Sequence, residues 1–234
     1  MEDGKNKRDV MEKLNVIYED NHIIVVEKPV NIPSQGDKTG DIDMLTIIKA
    51  YLKEKYNKPG DVYLGLVHRL DRPTGGVMVF AKTSKAASRL SEQVRNKEFH
   101  KKYLCIVDGK MESKTGTFKD YLVKNERTNM SRVAKKDEKN AKEAILDYEV
   151  LKYNEEINMS VVKVDLHTGR HHQIRVQFAS RNHSLSGDQK YGTRGRGKQL
   201  ALWAYYLSIF HPISKEKMEF SVEPEHIGSW KILD

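Results

Sequence analysis

Short apolar segments of strand length, separated by turn residues, recur along most of this chain. The first pair, residues 15–19 and 22–27, flanks the turn-prone dipeptide Asp20-Asn21. Helical spacing of apolar residues indicates one helix after Asp41 or Asp43 and another after Thr83 or Ser84. Further strands are predicted at residues 62–67, 77–81, 102–107, 117–123, 146–150 and 159–166. Strands that mostly follow strands favour an α+β fold with a mixed, mainly antiparallel sheet and flanking helices.

The chain has 234 residues, which fits one large domain better than two small ones. Residues 1–14 are mostly polar, so we expect a flexible N-terminus followed by a single domain over 15–234. Residues 125–142 are polar, carry both charge signs and predict a mobile loop. No apolar run reaches the length of a membrane span or a secretion signal, which favours a cytoplasmic protein. The only cysteine is Cys105, which excludes a disulfide framework.

Positive charge is unevenly distributed. The formal net charge is +8, and residues 85–102 and 181–199 each carry an excess of four positive charges. Such clusters neutralise nucleic-acid phosphates, although a single basic cluster is also typical of a solvated surface. Two of them, flanking the polar motifs described next, favour RNA or DNA as the partner.

The first polar motif runs from His68 to Gly76, between two short apolar segments. Pro73 and two glycines follow Asp71, which places this carboxylate in a turn or loop. Asp71 could simply form the turn, or it could face a substrate that Gly75-Gly76 allows to approach closely. His68 and Arg69 could contact phosphates or bases, or could pair within a strand.

The second polar motif spans residues 167–177 and contains three histidines. No acidic residue stands at metal-ligand spacing, and we expect His171 and His172 to point in different directions, so no metal site is predicted. Apolar spacing around Arg175 fits either a helix or a strand. A buried Arg175 would need a carboxylate, and Asp71 is a candidate if the fold brings the two together. The segment 194–198 lacks the spacing of a phosphate-binding loop, and no nucleophile-elbow sequence is present.

These motifs resemble, in order, those of the RluA-type RNA pseudouridine synthases. The segment 68–76 with 81–83 is similar to the central motif of that family, and 18–29 to its N-terminal strand motif. Lys101-Lys102-Tyr103-Leu104 resembles the Lys-x-Tyr motif, 168–176 resembles the C-terminal motif, and 187–192 completes the pattern. The sequence departs from the usual family residues at Gly75, His171, Gln177 and Trp203, where we expect local repacking.

The resemblance implies an isomerase that converts uridine in rRNA or tRNA to pseudouridine, with the pseudouridine synthase fold, a basic central cleft, no cofactor and no metal. It makes Asp71 the catalytic carboxylate, which attacks C6 of uracil or C1′ of ribose, with Arg175 as its partner. Tyr103 would stack on the uracil, and Arg69 would help to extrude the base. Together with the basic clusters it predicts RNA contacts from His68, Arg69, Arg72, Lys101, Lys102, Arg170, His172, Gln173, Lys190, Arg194, Arg196 and Lys198. We expect a monomer, and the alternative is a non-catalytic RNA-binding or ribosome-assembly protein on the same fold.

Overall fold

A computed structural model of the protein describes residues 14–192 and 199–234. The chain forms two compact units: one contains residues up to 99 together with 206–222, and the other contains 100–205 together with 223–234. All but the last position of the N-terminal segment 1–14 lies outside the described residues. None of the helices in the described part of the chain is long and apolar enough to cross a membrane.

The first unit is a sheet with two helices. Its strands are β1 (Val16–Glu19), β2 (Ile23–Lys28), β3 (Gly65–Leu66), β4 (Gly75–Ala81), the second part of β10 (Leu202–Phe210) and β11 (Lys217–Ser221). The order is β1-β2-β4-β10, with β3 paired to β4 and β11 paired to β10. Strand β2 runs antiparallel to both β1 and β4, so that Lys28, at its end, lies opposite Gly76.

Two capped helices complete the first unit. Helix α1 (Met44–Lys55) begins after Asp43, whose carboxylate accepts a hydrogen bond from the backbone N–H of Thr46, and this selects Asp43 over Asp41 as the cap. Helix α2 (Ser84–Arg95) begins after Thr83, whose hydroxyl accepts from Ala86 N–H. The buried apolar faces of the sheet and of α2 form one core, with members Ile23, Val25, Val77, Val79, Ala81, Ala86, Leu90, Phe99, Leu207 and Ile209.

The second unit is built mainly from long antiparallel strands. They are β5 (His100–Asp108), β6 (Thr115–Asn125), β7 (Met130–Ala134), β8 (Lys142–Asn154) and β9 (Met159–Leu166), with the first part of β10. Their order is β10-β5-β9-β8-β6-β7. Helix α3 (Gln173–Ala179) and a 3-10 helix (Gly228–Leu233) are the helical elements of this unit as described. Cys105 is fully buried in β5, as its position in an apolar strand predicts.

The structure changes one local expectation, decides one open alternative and adds two strands. The mobile loop predicted over 125–142 is wrong in part, because β7 lies inside it and pairs with β6 from Leu122↔Val133 to Asn125↔Met130. This strand has only five residues, and its apolar Met130, Val133 and Ala134 do not alternate with polar ones, so it carries no period-two signal. The ambiguous segment around Arg175 is helical. Strands β10 and β11 were not predicted.

Candidate functional site

Asp71 lies in the irregular segment between β3 and β4, and hydrogen bonds fix the backbone on both sides of it. The hydroxyl of Ser34 donates to the carbonyl of Leu70 at 2.9 Å and accepts from Leu70 N–H at 3.1 Å. Asn31 N–H donates to the carbonyl of Arg72 at 2.8 Å, and Thr74 N–H donates to the carbonyl of Asp71 at 2.9 Å. The half-buried Asp71 is therefore presented by a backbone that loop residues and its own turn hold in place.

Lys28 adds a charged group to this support. Its side chain is fully buried, and its ammonium donates to the carbonyls of Pro29 at 2.9 Å, Ile32 at 2.6 Å and Arg72 at 3.1 Å. Burial lowers the pKa of Lys28 to about 7, while the nearby Asp71 carboxylate acts to raise this pKa and Arg72 to lower it. Lys28 thus ties the end of β2 to the residue that follows Asp71.

The side chains beside Asp71 alternate between interior and solvent. His68 is buried, its Nε2 accepts from Val79 N–H at 3.1 Å, and its ring lies 5.0 Å from that of Phe99. Arg69 is exposed and makes no hydrogen bond or ion pair with any described residue. Arg72 donates to Thr39 at 3.1 Å and forms ion pairs with two carboxylates of the same loop, those of Asp41 and Asp37.

Arg175 lies on α3 in the second unit and is 4% exposed. Its Nε and Nη2 each donate to one carboxylate oxygen of Asp188 at 2.7 Å, in a bidentate pair. Within its own unit, Asp188 therefore supplies the carboxylate that a buried arginine needs. The preceding residue must be glycine: Gly187 has φ +74°, and a Cβ there would stand 2.0 Å from the carbonyl oxygen of Gln199.

Tyr191 extends this pair into a network. Asp188 Oδ1 also accepts the backbone N–H of Tyr191 at 3.0 Å, and the Arg175 guanidinium lies 5.2 Å from the centroid of the Tyr191 ring. The Tyr191 hydroxyl accepts from Ser131 N–H at 2.7 Å and lies 2.8 Å from Nδ1 of His172. The turn 188–191 thus connects α3 to strand β7.

The expectation that His171 and His172 point in different directions is wrong. Their rings stack with centroids 3.7 Å apart, because His172 adopts the left-handed conformation (φ 54°) where α3 begins. Burial lowers the pKa of His172 to about 2, and the neighbouring Arg175 and His171 add to this shift, so the ring stays neutral. Among residues 14–192 and 199–234, no three His, Cys, Asp or Glu side chains converge as metal ligands would.

The remaining predicted residues of the second unit differ in exposure. Tyr103 is 6% exposed in β5. Gln173 is buried, and its carbonyl oxygen accepts from Thr168 Oγ1 at 2.8 Å and from Arg170 N–H at 3.0 Å. The exposed Arg170 and Lys190 each donate to a backbone carbonyl, Lys101 and Lys102 are half-buried at the start of β5, and burial lowers the pKa of Lys101. Arg194, Arg196 and Lys198 lie outside the described residues.

The four departures from the family pattern occupy defined places. Gly75 is the buried first residue of β4, and Trp203 is buried in β10. His171 Nδ1 lies 2.8 Å from the hydroxyl of Ser131. The fully buried Gln177 donates from Nε2 to Asp120 at 2.7 Å and to the carbonyl of Ala144 at 3.2 Å.

Sequence reasoning did not assign roles to four supporting residues. Lys28 and Ser34 hold the Asp71 segment, and Asp188 and Tyr191 hold Arg175. The sequence signal for Lys28 was its position as a lysine at the end of an apolar strand. For Asp188 it was the charge balance that a buried arginine requires, within a segment already quoted for its resemblance.

The architecture defines an α+β protein, which confirms the predicted class, and known structures share it. Human RNA Pseudouridylate Synthase Domain Containing 4 superimposes with a TM-score of 0.79 at 21% sequence identity, covering 95% of this chain and 94% of that one. Human RNA Pseudouridylate Synthase Domain Containing 1 gives a TM-score of 0.76 at 23% identity, covering 94% of this chain and 87% of that one. At these identities the likeness establishes the fold.

Sequence comparison establishes the family. Residues 22–180 match the family model described as RNA pseudouridylate synthase. An uncharacterized RNA pseudouridine synthase of Aquifex aeolicus is 35% identical over 230 residues, covering 92% of this chain and 71% of that protein. The ribosomal large subunit pseudouridine synthase D of Haemophilus influenzae is 34% identical over 230 residues, covering 88% of this chain and 66% of that protein. The chain, which spans about two thirds of the length of such relatives, belongs to the RluA-type RNA pseudouridine synthases, a family of isomerases.

Proposed function

We propose that this protein isomerises one or more uridines of rRNA or tRNA to pseudouridine, with Asp71 as the catalytic carboxylate. The observation that carries the proposal is the family match over residues 22–180, which includes Asp71, Tyr103 and Arg175. The rigid backbone support around Asp71 adds to it, because a reacting group must be held in one geometry. Large-subunit rRNA is the first substrate to test, since the Haemophilus influenzae relative carries that description.

The proposed reaction exchanges one bond to ribose for another. The Asp71 carboxylate bonds either to C6 of uracil or to C1′ of ribose, and the N1–C1′ bond breaks. The uracil then turns, C5 bonds to C1′ and the bond to Asp71 breaks, while the C5 proton passes to solvent and N1 takes up a proton. Tyr103 is proposed as the stacking surface for uracil, and Arg175 as the cation that stabilises the reacting anionic groups.

The target nucleotide must leave its helix, because C1′ and C5 of a stacked uridine are out of reach. Base flipping costs a few kcal/mol, and phosphate contacts and stacking on an aromatic ring offset that cost. Exposed Arg69 is the proposed wedge or phosphate contact, and the exposed Arg170 and Lys190 are proposed to bind the backbone. We further propose that residues 15–234 act as one catalytic domain and that the enzyme is a cytoplasmic monomer without cofactor or metal.

The test is tritium release from C5-tritiated uridine. The substrates are rRNA and, separately, tRNA from a strain that lacks the protein. Wild-type protein should release tritium from one pool, Asp71→Asn should release none, and Asp61→Asn, which changes an exposed aspartate, should match the wild type.

The RNA affinity of Asp71→Asn distinguishes a catalytic role of Asp71 from a role in RNA recognition. Asp71→Asn should keep its affinity for the reactive RNA within several-fold, since phosphate contacts supply most of the binding. Suppose that wild-type protein releases no tritium from either pool and that Asp71→Ala rescues the defect of the deletion strain. The non-catalytic RNA-binding function then replaces the proposed one.

A further inference from the structure

We propose that Tyr191 is a positioning residue of this site: its ring holds the Arg175 guanidinium, and its hydroxyl fixes the tautomer of His172. The proposal rests on the function proposed for Arg175, and it assigns the turn 188–191 a part in the chemistry. The ring and the hydroxyl of Tyr191 make separate contacts, so each contact can be removed by its own substitution.

The ring and the Asp188 carboxylate restrain Arg175 in different ways. Asp188 binds the Nε–Nη2 edge of the guanidinium, with both distances at 2.7 Å. The Tyr191 ring lies 5.2 Å from the guanidinium carbon, within the range of a cation–π contact. The carboxylate fixes one edge of the guanidinium, and the ring restrains its central carbon from a second side. The same turn supplies both restraints, because Tyr191 N–H donates to Asp188 Oδ1.

The hydroxyl of Tyr191 acts on His172. Ser131 N–H donates to this oxygen at 2.7 Å, so the oxygen serves as an acceptor there. Nδ1 of His172 lies 2.8 Å from this oxygen, and in the proposed arrangement the one proton of the phenol points to Nδ1, so that this nitrogen is the acceptor. In this arrangement His172 carries its own proton on Nε2.

Charge supports a single neutral form of the ring. Arg175, His171, Lys190 and Lys124 all disfavour a positive charge on His172, in addition to its burial. The ring is therefore held neutral with one N–H donor, and the Tyr191 hydroxyl sets which nitrogen carries it.

The test compares Tyr191→Phe, which keeps the ring, with Tyr191→Leu, which removes it. Tyr153→Phe is the matched control, because its hydroxyl donates to Asn158 on an exposed hairpin. Two readouts are needed: the ¹⁵N and ¹H resonances of the His172 ring and the Arg175 Nε–H group, and the kcat and KM of tritium release.

Tyr191→Phe should change the His172 ring signals from the Nε2–H form to a mixture, and should leave the Arg175 Nε–H signal in place. Its kcat should fall by less than in Tyr191→Leu, about tenfold, with KM nearly unchanged, because the ring that restrains Arg175 stays and only the fixed N–H donor of His172 beside Arg175 is lost. Tyr191→Leu should also shift the Arg175 signal and lower kcat by about 100-fold. Tyr153→Phe should alter neither readout.

Unchanged His172 signals in Tyr191→Phe, or a rise in KM with constant kcat, would overturn the proposal and leave Tyr191 as an RNA contact or a packing residue. The two readouts also separate this proposal from the proposed function. If wild-type protein shows the Nε2–H form but releases no tritium, the positioning is present and the isomerase function fails.

Discussion

The Asp71 segment and the Arg175 site are stabilised in opposite ways. Around Asp71 the contacts hold the backbone: Ser34 binds Leu70, and Lys28 and Asn31 bind the carbonyl of Arg72. Around Arg175 the contacts hold the side chain itself, through a carboxylate edge and an aromatic ring. A short carboxylate follows its backbone, whereas a long guanidinium has many rotamers and must be fixed at its end.

This difference predicts which substitutions damage which property. Loss of the Asp188 carboxylate breaks a buried, bidentate ion pair, so the free energy of unfolding should change most there. Loss of a backbone contact near Asp71 should cost less stability but should still displace the reacting carboxylate.

The largest effect is expected for Asp188→Asn. Asn keeps an acceptor for the backbone N–H groups of Lys190 and Tyr191 but replaces the charged, bidentate partner of the buried Arg175 guanidinium by a neutral amide. Removing one partner of a buried ion pair costs about 3–5 kcal/mol of unfolding free energy. Urea unfolding of the variant measures the loss.

The double variant Arg175→Met/Asp188→Asn removes the charge as well as its partner. It should recover about 1–3 kcal/mol relative to Asp188→Asn while remaining inactive in tritium release. If the loss in the double variant equals the sum of the losses in Arg175→Met and Asp188→Asn alone, the pair contributes no coupling energy and the contrast between the two regions fails.

The second effect concerns Lys28 and pH. Its pKa is about 7 in the folded protein against 10.5 ordinarily, so between these values the unfolded chain binds a proton that the folded chain does not. Unfolding free energy should therefore rise with pH across that window, by on the order of a few kcal/mol. Lys28→Met should lack this rise.

Chemical denaturation of wild type and Lys28→Met at several pH values between about 6.5 and 10.5 measures their unfolding free energies across this window. The quantity of interest is the difference between wild type and Lys28→Met, because other lysines and tyrosines titrate in both. A pH-independent difference would show that the buried ammonium is not depressed in pKa, and that the carbonyls around it compensate its burial fully.

The sequence predicted the elements whose signal is local. Strand β9 has the bounds that apolar alternation indicates, 159–166, and the caps at Asp43 and Thr83 were each one of two alternatives. The family and its isomerase class were also predicted, because its motifs are contiguous in the chain. Strand β7 was missed because its five residues show no apolar alternation and the strand is held by backbone pairing with β6.

The supporting residues of the site could not be found in this way. Ser34 lies 36 positions from Leu70, and Lys28 lies 44 positions from Arg72, so neither contact leaves a periodic pattern. Asp188 is closer, 13 positions after Arg175, and charge balance pointed to a carboxylate without saying which. The stacking of His171 on His172 needed the left-handed backbone at His172, which is uncommon for any non-glycine residue, although histidine adopts it more often than most.

A smaller effect is expected for Ser34→Ala. The substitution leaves both backbone polar groups of the buried Leu70 without their hydroxyl partner, which costs about 1–3 kcal/mol. The kcat for tritium release should fall while RNA affinity is retained, because Asp71 is the next residue. Ser88→Ala, an exposed helical serine, is the control and should be near neutral. A stability loss without any change in kcat would show that Asp71 keeps its position by its own turn alone.

The smallest expected effect is a difference between Arg69 and Arg72 in the salt dependence of RNA binding. Arg69 has no described ion pair, whereas the carboxylates of Asp41 and Asp37 engage Arg72. Each phosphate contact contributes about one unit to the slope of log affinity against log salt. Arg69→Ala should therefore reduce this slope by about one, and Arg72→Ala by clearly less, since its charge is already balanced.

Filter binding of the reactive RNA at several salt concentrations measures both slopes. The surface pair of Arg72 contributes at most about 1 kcal/mol to stability, so both variants should stay folded and the slopes can be compared directly. Equal reductions would mean that RNA phosphates displace Asp41 and Asp37 from Arg72. The loop that carries these two carboxylates would then change partners on binding, and the Asp71 segment would depend on its side chains as much as the Arg175 site does.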